Sequence, residues 1–235
     1  LLESRGLGDV YKRQVLALDE AVGQLVETLK STGQYENTLI VFTSDQGFAW
    51  GQHGLRHKVA PYDASVRSPL IVSMPSKLPR GKVNNTPIGG VDLIPTFFQL
   101  AGIELPWEMH GRDMTPLLQN PETNWNRSLL TVHTAQSYGS DTDIIPTDPA
   151  LLYKTANVPW YATTHDGRFK YIRTFVENEV EELYDLDSDP KELTNLALND
   201  DYRERLGQMR QATIDELTRT GAQFTNSMPP VRTEK

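Results

Sequence analysis

Leu39-Ile40-Val41-Phe42-Thr43-Ser44-Asp45-Gln46-Gly47 is the stretch that decides the fold. Leu39–Phe42 is a continuous β-favouring run of the kind that is buried on both faces in a parallel sheet. It stops abruptly at Thr43–Gly47, and polar residues gathered just beyond the end of such a strand are where open α/β sheets place their ligands. Asp45 and Gln46 set a carboxylate and an amide carbonyl side by side at that strand end. Both are hard oxygen donors, better suited to calcium or magnesium than to zinc. Taken alone, Asp-Gln-Gly is also an ordinary turn sequence.

Working outward, Leu18, Val22, Leu25, Val26 and Leu29 fall at helical spacing, so the pattern predicts a helix over about Val15–Thr32 with Gly33 as its stop. Leu1–Gln14 (LLESRGLGDVYKRQ) has neither helical nor strand periodicity. It resembles translated sequencing-adaptor read-through and is expected to be a non-native leader over 1–14, with an ordinary frayed terminus as the alternative. Downstream, Pro69–Val72 reads as a second strand, and Asp92 as the N-cap of a helix through about Leu100 with Pro95 in its first turn. Ser137–Pro149 is rich in Ser, Thr, Asp and Pro and predicts a loop over 137–150. Trp160–Thr164 and Phe169–Thr174 flank an Asp166-Gly167 turn and predict a hairpin, with Glu182–Leu186 as a third strand. Tyr202, Leu206, Met209, Ile214 and Leu217 line a last helix, and a polar tail is expected over 221–235.

Composition sets the outer limits. With 235 residues and 38% hydrophobic content the chain is large enough to bury a core. A net charge of −8 argues against a dedicated nucleic-acid or anionic-membrane surface, because both need clustered Lys and Arg. No Cys is present, which excludes disulfides, thiolate metal sites and a Cys nucleophile within these residues. No apolar run approaches the roughly 20 residues of a membrane span.

Gly51-Gln52-His53-Gly54, Lys58, Tyr62-Asp63 and Arg67-Ser68-Pro69 follow the Asp-Gln pair in order. The whole stretch TSDQGFAWGQHGLRHKVAPYDASVRSPLIV resembles the sulfatase family of the alkaline-phosphatase superfamily. GGVDLIPTFFQLAGI, GRDMTPLL, GRFKYIR and ELYDLDSDPKELTNLA continue the resemblance over about Val15–Leu217. It implies an amino-terminally truncated three-layer α/β sheet domain over 15–136. A small subdomain of antiparallel strands and a helix follows over 151–220. It implies that Asp45 and Gln46 are a calcium-ligand pair, Gln standing where the family more often has Asn or His, and that Lys58 holds a sulfate oxygen. His53, and less so His57, suit a proton-transfer role beside the site, since imidazole titrates near neutral pH. They suit equally well a role as loop histidines bonded to backbone. Arg67 reads as a backbone anchor, and Trp50 as a pocket wall.

The family's nucleophile is a formylglycine made from Cys or Ser in a Cys/Ser-x-Pro-x-Arg motif on the amino-terminal side, and nothing upstream of Val15 fits it. Ser73-Met74-Pro75-Ser76-Lys77 is a near-match in the wrong place, with Lys for Arg. The resemblance therefore implies a hydrolase of sulfate esters of a small molecule or glycan, exported, of which these residues alone are inactive. A phosphoesterase or phosphonate hydrolase of the same superfamily, and a non-catalytic domain that keeps only the fold, remain as alternatives.

Overall fold

The computed structural model describes residues 2–134, 142–153 and 156–232, with the backbone alone for 2–9, 11 and 12. The first helix, α1 (Leu2–Ser31), starts at Leu2 and not at the expected Val15. No proline interrupts Leu2–Gln14, and extending an existing helix adds a hydrogen bond per residue without a new nucleation cost, so weak periodicity does not stop it. Its end is as expected: Gly33 takes φ +72, Gln34 N–H donates to Leu29 O at 2.9 Å and Gly33 N–H to Lys30 O at 3.1 Å, a Schellman cap. The expected apolar stripe is only partly covered. Val22, Val26 and Leu29 are half-buried, whereas Leu18 and Leu25 are exposed.

Next come β1 (Ile40–Thr43), β2 (Ala49–Trp50), β3 (Arg56–His57), α2 (Asp63–Val66) and β4 (Leu70–Ser73). The expectation of a parallel strand buried on both faces is corrected here. β1 pairs antiparallel with β4, in the register Ile40↔Ser73 to Thr43↔Leu70, and Phe42 and Ile71 are exposed. Runs of Leu, Ile and Val report hydrophobic demand, not strand direction.

The helices α3 (Leu93–Ala101) and α4 (Thr115–Gln119) are tied together by Thr96, whose Oγ1 accepts the Met114 N–H at 2.9 Å, and Asp92 gathers the chain around them. Asp92 and Arg127 form a buried ion pair, and the same carboxylate accepts N–H bonds from Gly89 at 2.9 Å and Arg112 at 2.8 Å. Asp92 stands at the N-cap position of α3, but its side chain bonds these neighbours and no N–H of α3. A Cβ on Gly111 would lie 1.9 Å from Val91 O, so glycine is required where this loop crosses Asp92. Lys77 donates to Leu100 O at 3.0 Å near the end of α3, which gives the near-match Ser73–Lys77 a structural use at a helix C-terminus.

The rest of the chain builds a four-stranded antiparallel sheet in the order β5 (Leu129–His133), β6 (Tyr161–His165), β7 (Phe169–Thr174), β8 (Glu182–Asp185). The β6–β7 hairpin turns at Asp166-Gly167, with Gly167 at φ +111. β5 was not expected; it lies ahead of the 137–150 segment yet belongs to the carboxy-terminal sheet. Residues 137–141 of that segment lie outside the described residues. The short helix α5 (Pro149–Leu152) and the long α6 (Arg203–Arg219) pack against the sheet. Leu206, Met209 and Leu217 of α6 are buried, and Thr213 Oγ1 meets Thr164 Oγ1 at 2.6 Å. The expected polar tail is partly core: Phe224 is buried and packs at 5.2 Å on Phe175. Backbone bonds add to this anchor: Asn178 N–H donates to Pro230 O at 3.1 Å and Arg232 N–H to Glu179 O at 3.0 Å. Among the described residues no helix is long and apolar enough to cross a membrane.

Candidate active site

The β2–β3 hairpin brings the two ends of the candidate loop together. Ala49 pairs with His57 and Trp50 with Arg56, so Asp45-Gln46 ahead of β2 come to lie beside Lys58-Val59 after β3. Two side-by-side bonds close the loop. Lys58 Nζ donates to Asp45 Oδ2 in an ion pair, and Val59 N–H donates to Gln46 Oε1 at 3.2 Å. Asp45 also accepts from Gln46 N–H at 2.9 Å through Oδ1. The hydrogen bond from Lys58, followed by the one from Gln46 N–H, holds the Asp45 carboxyl below its ordinary range. The pair is open to solvent, with the Asp45 side chain 68% and Lys58 41% exposed.

Backbone geometry aims this pair. Gly47 follows directly, and a Cβ there would lie 2.6 Å from Ala64 O and 2.7 Å from Arg67 O. Only glycine lets the Asp-Gln turn sit against α2. His53, His57 and Val59 take φ of +54, +77 and +72, a left-handed conformation that costs non-glycine residues about 1–3 kcal/mol each and clusters at functional sites. For Val59 the branch at Cβ makes it a pronounced outlier.

The carboxy-terminal sheet and the residues that follow it support the loop. Tyr161 Oη on β6 donates to Val59 O at 2.8 Å. Lys170 on β7 is buried between Asp63 Oδ1 at 2.8 Å and Glu192 Oε1 at 2.7 Å, while Glu192 Oε2 accepts the Asp63 N–H at 2.7 Å. Burial pushes the Glu192 carboxyl up, and Lys170 opposes that shift. Tyr62 Oη donates to Glu182 at 3.0 Å.

Of the four expected site residues, then, Asp45 and Lys58 are in direct contact. Gln46 is engaged with Val59. His53 stacks on Tyr62 at 3.7 Å and its Nε2 bonds Lys191 O at 3.1 Å, the loop-histidine role. Trp50 is 71% exposed beside Phe48, at 4.6 Å between rings. Arg67 reaches Asp63 at 3.9 Å and stays exposed, and its carbonyl braces Gly47. Sequence reasoning missed Gly47, Tyr161, Lys170 and Glu192. The quoted stretches Thr43–Gly47, GRFKYIR and ELYDLDSDPKELTNLA contain Gly47, Lys170 and Glu192, but nothing in them marked these residues out, and Tyr161 lay in a strand read only as structure.

Asp45 and Gln46 offer the right donor type for calcium, but two oxygens fall well short of the six to eight that calcium takes. Among the described residues no group of three or more His, Asp or Glu is placed to hold a metal. These residues fit one side of such a site and not a whole one.

Comparison with known proteins agrees with this architecture. The sulfatase family model matches residues 6–103. The N-acetylglucosamine-6-O-sulfatase of Bacteroides thetaiotaomicron is 29% identical over 222 residues, covering 93% of this chain and 36% of that protein. A solved structure of a protein bound to its substrate D-glucosamine-2-N,6-O-disulfate superposes with a TM-score of 0.73 at 28% identity, covering 92% of this chain and 40% of that one. The phosphonate monoester hydrolase of Silicibacter pomeroyi gives 0.69 at 25% identity, covering 88% and 40%. The chain thus spans about two-fifths or less of the length of the proteins it matches. Its fold is the alkaline-phosphatase-like α/β fold of sulfatases with an antiparallel carboxy-terminal sheet, as expected. Over residues 6–103 the chain matches the sulfatase family, and its likeness to sulfatases continues through the rest of its length.

Proposed function

We propose that residues 45–59 form one side of the anion site of a sulfuric ester hydrolase. The observation that carries this reading is the Lys58–Asp45 pair, exposed at the mouth of a loop whose backbone is held in strained geometry. An ammonium has three donors, so Lys58 can keep its bond to Asp45 and offer another to a sulfate oxygen. A positive group fixed before the reaction begins stabilises the charge that develops as the S–O bond to the leaving alcohol breaks. Asp45 holds the ammonium in place, and the Gln46–Val59 bond keeps the two strands of the loop from separating.

The remaining machinery is proposed to come from parts of the relatives' length that this chain does not span. Asp45 and Gln46 would be two oxygen donors to a calcium ion, which when bound supplies further positive charge to the sulfate oxygens. The nucleophile would be a formylglycine. The substrate class is a sulfated small molecule or glycan, in keeping with the sugar sulfatase among the relatives. Export is proposed on family grounds alone.

The test is turnover of 4-nitrophenyl sulfate by the sulfatase-length protein that carries this segment. Lys58→Met should lower kcat/KM by about 10²-fold or more, the usual effect of removing one such donor. Activity unchanged by Lys58→Met would sink the reading. The present 235-residue chain should give no turnover, and turnover that Asp45→Ala abolishes would refute that. A phosphonate ester hydrolase is the second reading, favoured by the superposition described above. A faster reaction with 4-nitrophenyl phenylphosphonate than with the sulfate would select it.

A further inference from the structure

Lys58 sits between two left-handed residues, His57 and Val59. An isolated chain does not hold such a pair of conformations, so something must restrain each side of Lys58. On the amino side, the buried Ser65 donates its Oγ to His57 O at 3.1 Å. On the carboxy side both polar groups of Val59 are taken: its N–H by Gln46 Oε1 at 3.2 Å and its carbonyl by Tyr161 Oη at 2.8 Å. The Gln46 bond is internal to the loop and would travel with it. The Tyr161 bond is external, reaching across 102 positions of sequence to β6, an inner strand of the four-stranded sheet.

Tyr161 is well suited to be a fixed post. It is buried, packed with Ala60 and Val158, and flanked on both sides by paired strands. Burial pushes its phenol above the ordinary value, so the group remains a donor at neutral pH. A tyrosine ring has few rotatable bonds, so a hydroxyl at its far end transmits the rigidity of the sheet with little loss.

We propose that Tyr161 is a positioning residue for Lys58, acting through the Val59 peptide to hold the ammonium in the place where it meets the sulfate. The carboxy-terminal sheet thereby becomes part of the active-site framework and not only a support for the fold. The catalytic meaning of this clamp rests on the sulfate-binding reading of Lys58. The clamp itself is tested without it, so either idea can fail while the other stands.

The experiment is NMR on the chain labelled with nitrogen-15, comparing the parent with Tyr161→Phe, which removes one hydroxyl and keeps the ring. Two signals are read: hydrogen-exchange protection of the Val59 amide, and the Lys58 ammonium correlation, which at neutral pH is broadened away by exchange with water unless the group is held in its ion pair. Tyr161→Phe should lower Val59 protection at least tenfold and abolish the Lys58 signal, while amides of β7 and α6 stay within twofold. In a Val59→Gly background the left-handed backbone is unstrained, and the same substitution should then cost less than threefold at residue 59. Three outcomes overturn the proposal: both signals unchanged in Tyr161→Phe, protection lost evenly across β5–β8, which marks a merely structural role, or an equal loss in the two backgrounds.

Discussion

Lys170 Nζ lies 2.7 Å from Glu192 Oε1, with both side chains almost wholly out of solvent, at 3% and 1% exposure. The bond joins the carboxy-terminal sheet to the residue that accepts the first N–H of α2, and α2 in turn braces Gly47. Removing one partner of a buried pair leaves the other uncompensated, which costs about 3–5 kcal/mol. Lys170→Met should therefore destabilise by that amount in urea denaturation. The double variant Lys170→Met with Glu192→Gln should cost clearly less than Lys170→Met alone. Equal losses would show that the charges do not act as a pair.

Gly47→Ala and Gly23→Ala should have opposite signs. At Gly47 a Cβ meets two carbonyl oxygens of backbone, which cannot rotate away, so a cost of about 1–3 kcal/mol is expected, as for other overpacked sites. At Gly23, inside α1, a Cβ meets nothing within 4 Å, and alanine should stabilise by about 0.5–1 kcal/mol. Melting temperatures of the two variants check the contrast.

Acid should weaken the fold in part through His165. Burial lowers its affinity for a proton, Asp63 opposing that and Lys170 adding to it, and its Nε2 is buried with no hydrogen-bond partner. Because the folded value lies below the unfolded one of about 6.5, the unfolded chain takes up the proton first. The stability associated with neutral His165 is complete above that value and is lost as pH falls below it. His165→Gln should thus flatten the fall in stability between about pH 7 and pH 5, measured by urea midpoints. An unchanged slope would assign the acid sensitivity to other groups.

Calcium titrated into the 235-residue chain should bind more weakly than about 1 mM, the loose end of the range set by ligand number and charge. Two oxygens already bonded to Lys58 and Val59 do not make a tight site. Calorimetry that found micromolar affinity, abolished by Asp45→Asn, would mean that this chain gathers more ligands than the described residues bring together.

The parts of this protein that could be read from sequence are those in which local chemistry decides. The Asp166-Gly167 turn, the Gly33 stop and the stripe of α6 each follow from a few adjacent residues. The meeting of Asp45 with Lys58 could be anticipated only through the motif order, since 13 positions separate them and the two-residue strands of the hairpin carry no periodic signal. Strand direction in β1 was misread because hydrophobic runs do not encode it. The supports under the loop were invisible for a different reason. Tyr161 and Glu192 act over 102 and 129 positions of sequence, and a buried carboxylate at left-handed φ looks in sequence like any surface Glu.

The placement of β5 decides how this chain can be divided. Its five residues pair with β6 from Leu129↔His165 to His133↔Tyr161, although the Ser-, Thr-, Asp- and Pro-rich stretch that invites a cut comes after it. A protease acting between Thr142 and Asp148 would leave two pieces still laced together by a strand ladder, migrating as one in a native gel and parting only in denaturant. Anyone trimming the chain at that loop to isolate the carboxy-terminal half would strip a strand from its sheet and expose β6 as a fresh edge. A cut that keeps the four-stranded sheet whole has to fall ahead of Leu129.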